Sequence, residues 1–178
     1  KTKPIGCSSR RRQLQLRALY PDMRIASVRG NVQTRLAKLD GGEYSALVLA
    51  AAGLKRLGLE HRICRYFSAE EILPAAGQGI LVVQTRKGMD TDCLQLVRDE
   101  DSTWCALAER AFVRALDGGC TSPVAAHAVV DGETLTLTGF YVSADESIQR
   151  KGTLSGPREQ AEQLGQALAN QLREGEGQ

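Results

Sequence analysis

Four short stretches of this sequence carry residues whose type and spacing can do chemistry. The first is Gly6-Cys7-Ser8-Ser9-Arg10-Arg11-Arg12. Two small hydroxyl residues at a strand-to-helix turn leave backbone N–H groups and hydroxyls at the positive end of a helix. The arginines add forked donors shaped for carboxylate or phosphate. The second, Ser27-Val28-Arg29-Gly30-Asn31-Val32-Gln33-Thr34-Arg35, repeats the layout, with Arg29 before the turn and Arg35 on the first helical turn. Gly53-Leu54-Lys55-Arg56 follows a third apolar run and is expected to add Arg56 to the same rim. Each stretch alone also reads as a capped surface helix with solvated arginines. Together they describe a cleft for a polyanionic ligand. The fourth stretch is Gly118-Gly119-Cys120-Thr121-Ser122-Pro123, a thiol on a turn. A reactive cysteine needs a base or a positive field, and His127 is the nearest base in the sequence. From these residues alone, a structural thiol is the better reading of Cys120.

The elements that must position these residues alternate. Lys3–Cys7 leads into a helix over about Arg10–Leu19, capped by Ser8-Ser9 and stopped before Pro21. Met23–Val28 is expected as a strand and Val32–Leu39 as a helix capped by Asn31 and ended by Gly41-Gly42. Ser45–Ala50 suits a strand buried on both faces, and Ala51–Leu57 a helix. This rhythm predicts an open parallel α/β sheet with right-handed crossovers. Leu73–Gly79 is a glycine-containing turn, followed by an expected strand at Ile80–Thr85 and a helix at Met89–Val97. A longer helix over about Ser102–Leu116 carries Trp104, Ala108, Ala111, Phe112 and Ala115 on one face. The remainder reads as a small α+β domain. Val124–Val130 and Thr134–Tyr141 flank the hairpin signal Asp131-Gly132. A third strand is expected at Ser147–Gly152, and a closing helix from Pro157 with Ala161, Leu164, Leu168 and Leu172 inward.

Composition sets the outer limits. The 178 residues hold 23 Lys+Arg and 21 Asp+Glu, a net charge of +2, which excludes a histone-like protein. The 42% hydrophobic and 25% charged content is that of a globular chain. Charge is unevenly placed. Residues 1–35 hold nine basic residues and only Asp22 against them, a net +8, whereas the rest carries −6. Such an asymmetry points to a local anion site. Aromatic residues make up only 4%, so stacking on single-stranded nucleic acid is poorly supported. No apolar run approaches the ~20 residues of a membrane span. No signal-type segment opens the sequence, and the five scattered cysteines contain no C-x-x-C pair. Reduced thiols, no metal site and a cytoplasmic location are the expectation, each cysteine being by default a small buried apolar residue.

In order along the chain stand G-C-S-S-R-R-R, S-V-R-G-N-V-Q-T-R-L-A-K-L-D, A-A-A-G-L-K-R-L-G, L-P-A-A-G-Q-G, A-E-R-A-F and G-G-C. This series resembles porphobilinogen deaminase (hydroxymethylbilane synthase) over nearly the whole chain. The resemblance implies a transferase of porphyrin and heme biosynthesis. Such an enzyme joins porphobilinogen units head to tail, with loss of ammonia, into a linear tetrapyrrole, hydroxymethylbilane. It implies a dipyrromethane cofactor held by a thioether at Cys120. Ser9, Arg11, Arg12, Arg29 and Arg35 would hold cofactor carboxylates, and Arg11, Arg35 and Arg56 those of porphobilinogen and its oligopyrroles. The implied fold is a partial doubly wound, periplasmic-binding-protein-like sheet domain followed by a small α+β domain with a three-stranded antiparallel sheet.

This sequence also departs from the family's pattern. Cys7 stands where Thr is usual, and Arg10 where a Leu-like residue is usual. The H-S-x-K-D-type segment with the family's catalytic aspartate is absent, so no catalytic residue is assigned. The resemblance therefore implies a C-terminal part lacking most of the N-terminal domain, inactive alone and with Cys120 unmodified. Its divisions would be 1–78 (second domain), 79–98 (a returning segment of the first domain) and 99–178 (C-terminal domain). The missing N-terminal domain would be a partner, and the exposed 79–98 segment a route to self-association. The competing class is a non-catalytic anion- or nucleic-acid-binding module, which leaves Gly118-Gly119-Cys120 unexplained.

Overall fold

The computed structural model describes residues 3–117 and 123–175. They form two compact units, with the change from one to the other falling between Ile72 and Leu73.

In the first unit, β1 (Ile5–Gly6), β2 (Ile25–Ala26) and β3 (Ala46–Leu47) form a parallel sheet in the order β2-β1-β3. Ile5 stands opposite Ile25 and Ala46. Helices α1 (Arg10–Leu19), α2 (Val32–Asp40) and α3 (Ala51–Arg56) follow the three strands in turn. The alternation read from the sequence is therefore present, with shorter strands. α1 starts because Ser9 accepts the Arg12 N–H at 3.5 Å, and it ends at Tyr20, before Pro21. α2 starts because Asn31 accepts the Thr34 N–H at 2.8 Å. The central β1 is buried, but in β3 Ala46 is exposed and Leu47 only half-buried. The expectation of a strand covered on both faces is corrected, since the side chain of Ala46 is open to solvent.

The second unit packs α4 (Glu100–Ala115) and α5 (Ala161–Glu174) against an antiparallel sheet of β4 (Ala125–Asp131), β5 (Thr134–Val142) and β6 (Gln149–Pro157), ordered β4-β5-β6. Its core holds Phe112, Leu135, Leu137, Leu168 and Leu172. α4 begins where Asp99 accepts the Ser102 N–H at 2.7 Å, and hydrogen bonds from the Ser102 side chain and then from its N–H lower the Asp99 pKa. The Asp131-Gly132 turn is where the sequence puts it, with Gly132 at φ 57. The expected closing-helix face of Ala161, Leu164, Leu168 and Leu172 is buried. Pro157 does not open that helix. It ends β6 in an extended conformation opposite Thr134, and a 3-10 turn over Arg158–Gln160 comes before α5.

Two expected elements are absent near the start of the second unit. Ile80–Thr85 forms no strand, and Met89–Val97 contains only a 3-10 turn over Asp92–Val97. A strand needs a ladder neighbour, and neither sheet pairs with this run. Leu81, Val82 and Val83 stay 93%, 77% and 61% exposed.

Glu109 is the buried charge of the second unit. It takes the Gly77 N–H at 2.6 Å on one carboxylate oxygen and the Ala128 N–H at 2.8 Å on the other. Burial raises its pKa more than these two donors and His127 lower it. A carboxyl whose folded pKa lies above its unfolded value stabilises the fold most in its protonated form, so stability falls as pH rises through the folded pKa. In Glu109→Gln this decline should vanish. The variant should also lose roughly 1–2 kcal/mol, because an amide –NH2 cannot accept from both N–H groups. Urea unfolding across mildly acidic to neutral pH measures both effects.

Candidate functional site

Because the three strands run parallel, the turns that follow them leave the same edge of the sheet, where open α/β sheets bind ligands. The first two turns are joined directly. The Ser8 hydroxyl donates to the Val28 carbonyl, and Gln13 Nε2 donates to the Cys7 carbonyl at 2.5 Å. In the second turn Gly30 takes a φ of 119, which favours glycine there. Its carbonyl accepts from Arg35 Nε at 2.7 Å. The Arg29 carbonyl accepts from Lys38 Nζ at 3.5 Å, and the Ser27 carbonyl from the Tyr44 hydroxyl at 2.9 Å. Asn31 also accepts the Thr34 hydroxyl, at 3.0 Å.

The electrostatics show which cations share this place. Burial pushes the Cys7 thiol pKa up, and the Ser9 backbone with the positive fields of Arg12, Arg11 and Arg35 opposes that rise. These three guanidiniums therefore act on one buried point at the first turn. Arg11 is 7% exposed. Its pKa is pushed down to about 10, first by lost hydration and then by repulsion from Arg12. Among the described residues, no carboxylate forms an ion pair with Arg12, Arg29 or Arg35. An anion placed here would relieve the crowding of like charge.

Ser9, Arg11, Arg12 and Arg35 thus come together at the first two turns, and Arg29 stands exposed beside them on the second. Arg56 is the last residue of α3, at the helix end away from the third turn. Five residues of helix carry it roughly 8 Å from that turn. Its neighbour Lys55 pairs with Glu60 at 2.9 Å and lies over the Tyr66 ring. Cys120 lies outside the described residues. His127 is on β4, with Nδ1 3.7 Å from Glu109. Cys64 and Cys93 are exposed, which corrects the buried default for those two; both lie outside the helices and strands that form the cores. Sequence reasoning missed Gln13, a buried carboxamide that ties α1 to its entry turn. Its place at the head of the Gln13-Leu14-Gln15-Leu16 run, just after three arginines, was its only signal. Among the described residues, no group of three or more His, Cys, Asp or Glu could hold a metal, and no helix is long and apolar enough to cross a membrane.

Residues 1–94 match the family model described as "Porphobilinogen deaminase, dipyromethane cofactor binding domain", and residues 103–174 match "Porphobilinogen deaminase, C-terminal domain". The porphobilinogen deaminase of Alkaliphilus oremlandii is 54% identical over 172 residues, which is 97% of this chain and 58% of that protein. That of Acetivibrio thermocellus is also 54% identical, over 97% of this chain and 59% of its own length. That of Ruminiclostridium josui is 53% identical, over 96% and 59%. The chain thus spans less than two thirds of these relatives. With both models matched in order and the relatives aligned almost end to end along it, the chain belongs to the porphobilinogen deaminase family.

Proposed function

We propose that this chain carries the pyrrole-carboxylate cleft and the cofactor cysteine of a hydroxymethylbilane synthase. The observation that carries the reading is the gathering of Arg11, Arg12 and Arg35 on the Cys7–Ser9 turn. Arg12 and Arg35 have no carboxylate partner among the described residues. Each ring of a pyrrole chain bears an acetate and a propionate, so successive rings present a row of carboxylates. Forked guanidiniums and hydroxyls suit that row, whereas a single small anion would leave most of the cations unused. The donor set therefore fits a dipyrromethane. When bound through a thioether to Cys120, that group supplies the primer on which the pyrrole chain grows.

The chain's own residues hold and orient. The Ser9 hydroxyl and the guanidiniums of Arg11, Arg12, Arg29 and Arg35 take the carboxylates of the bound rings. Arg56, at the far end of α3, meets only the outer carboxylates of a longer chain. On this reading the parallel unit is part of a doubly wound domain and the location is cytoplasmic. The exposed Leu81-Val82-Val83 run is the surface that meets the remaining N-terminal domain or, without it, a second copy. The sequence has no H-S-x-K-D-type segment, so this chain alone binds pyrrole chains without making them.

Isothermal titration with a dipyrromethane bearing acetate and propionate tests the reading. Binding that strengthens with ring number is expected. Failure to bind any pyrrole carboxylate, with salt-steep binding to DNA instead, would overturn it. The intact mass of the chain purified alone should be that of the bare polypeptide. A dipyrromethane adduct on Cys120, or bilane formation from porphobilinogen, would show that the machinery is complete without the missing segment.

A further inference from the structure

β4 is an edge strand, since the sheet order β4-β5-β6 leaves one of its sides without a strand. Alternate N–H groups of an antiparallel edge strand point away from its only neighbour. In β4 those of Ala126 and Ala128 do so, and each is satisfied by something other than a strand. Ala126 N–H donates to the Pro74 carbonyl at 3.3 Å. Ala128 N–H donates to Glu109 Oε1 at 2.8 Å. Pro74 lies in a segment that Glu109 also fastens, through the Gly77 N–H at 2.6 Å.

An open strand edge is a template for pairing with another chain, and proteins commonly cover it or break its pattern. A carboxylate and a carbonyl side by side give β4 its outward hydrogen bonds while offering no further ladder. We propose that Pro74 and Glu109 form a surrogate strand that closes the β4 edge, and that its purpose is to keep β4 from pairing edge to edge with β4 of a second copy. Glu109 holds the arrangement at two points, so it is the member whose loss opens the edge. The buried cost of a carboxylate is then spent on keeping the sheet closed.

Hydrogen exchange on the full chain, read at single amides, tests this. In the wild type, Ala126 and Ala128 should be protected like interior ladder amides such as Leu137. In Glu109→Ala at low concentration, Ala128 should exchange roughly tenfold faster or more, the loss of about one hydrogen bond. Leu137 should keep its rate. As concentration rises, the variant should associate beyond the wild type in light scattering, and Ala128 should regain protection. Because Glu109→Ala risks unfolding, Glu109→Gln, which keeps one acceptor oxygen, serves as the milder probe. It should speed the exchange of Gly77 or Ala128 but not of both. Fast exchange of Ala126 and Ala128 in the wild type would overturn the proposal. So would a folded Glu109→Ala that stays no more associated than the wild type at every concentration.

Discussion

The double variant Arg12→Ala/Arg35→Ala should bind a linear tetrapyrrole with two carboxylates per ring about a hundredfold more weakly or worse, with little change in melting temperature. Each guanidinium–carboxylate contact is charge-assisted and is worth about 1.5–3 kcal/mol. Both act on the same point beside Cys7, so their losses will not simply add. A coupled loss of about 3 kcal/mol, the stronger end of that range for one contact, already gives a hundredfold, since every 1.4 kcal/mol is tenfold. Stability should behave differently. Repulsion from Arg12 helps to lower the Arg11 pKa to about 10. A base whose folded pKa is lowered is held as a cation at some cost at neutral pH, so removing Arg12 relieves part of that cost. Arg11 itself is a poorer probe, because it is buried within α1's packing. Lysine at positions 12 and 35 should recover the salt dependence but only part of the affinity, because an ammonium cannot grip a carboxylate with two parallel bonds. Calorimetry with unchanged tetrapyrrole affinity in the double variant would remove the cationic rim from the binding site.

Much of this arrangement was legible in the sequence because it is local. Ser9 and Asn31 cap helices through bonds that span three residues, and the Asp131-Gly132 turn needs only a left-handed glycine. The helix faces through Phe112 and Leu168 follow a fixed period. What was not legible depends on distant partners. Ile80–Val83 has the residues of a strand, but no strand lies beside it in either sheet. Pro157 looks like a helix start until β5 supplies a neighbour opposite it. Arg56 and Arg35 each follow a glycine, yet Arg56 ends α3 whereas Arg35 lies on the first turn of α2. Glu109 sits next to the apolar stripe of α4. Nothing in its spacing shows that two N–H groups from Gly77 and Ala128 wait for its carboxylate.

Gly165→Ala should destabilise the second unit by about 3 kcal/mol or more, against the direction that helix propensity gives. Gly165 lies inside α5, where alanine is intrinsically better by about 0.8–1.0 kcal/mol. Packing opposes this. A Cβ at position 165 would lie 2.4 Å from the Ala108 carbonyl oxygen, 2.7 Å from the Ala111 Cβ and 2.8 Å from the Phe112 nitrogen. Two of these are backbone atoms of α4, which cannot rotate aside as a side chain would. The helices must therefore separate. Separation loosens the contacts of Phe112 and Leu168, both fully buried between the helices and β5. Overpacking a core costs about 1–3 kcal/mol when side chains can adjust, and more when backbone must move. For a unit of this size the loss should lower the melting temperature by about 12 °C or more. Gly132→Ala supplies the contrast, because its Cβ would meet nothing within 4 Å. Its cost is only the left-handed φ of 57, about 1–2 kcal/mol. If Gly165→Ala melts at or above the wild-type temperature, the close crossing of α4 and α5 is not what holds this unit together.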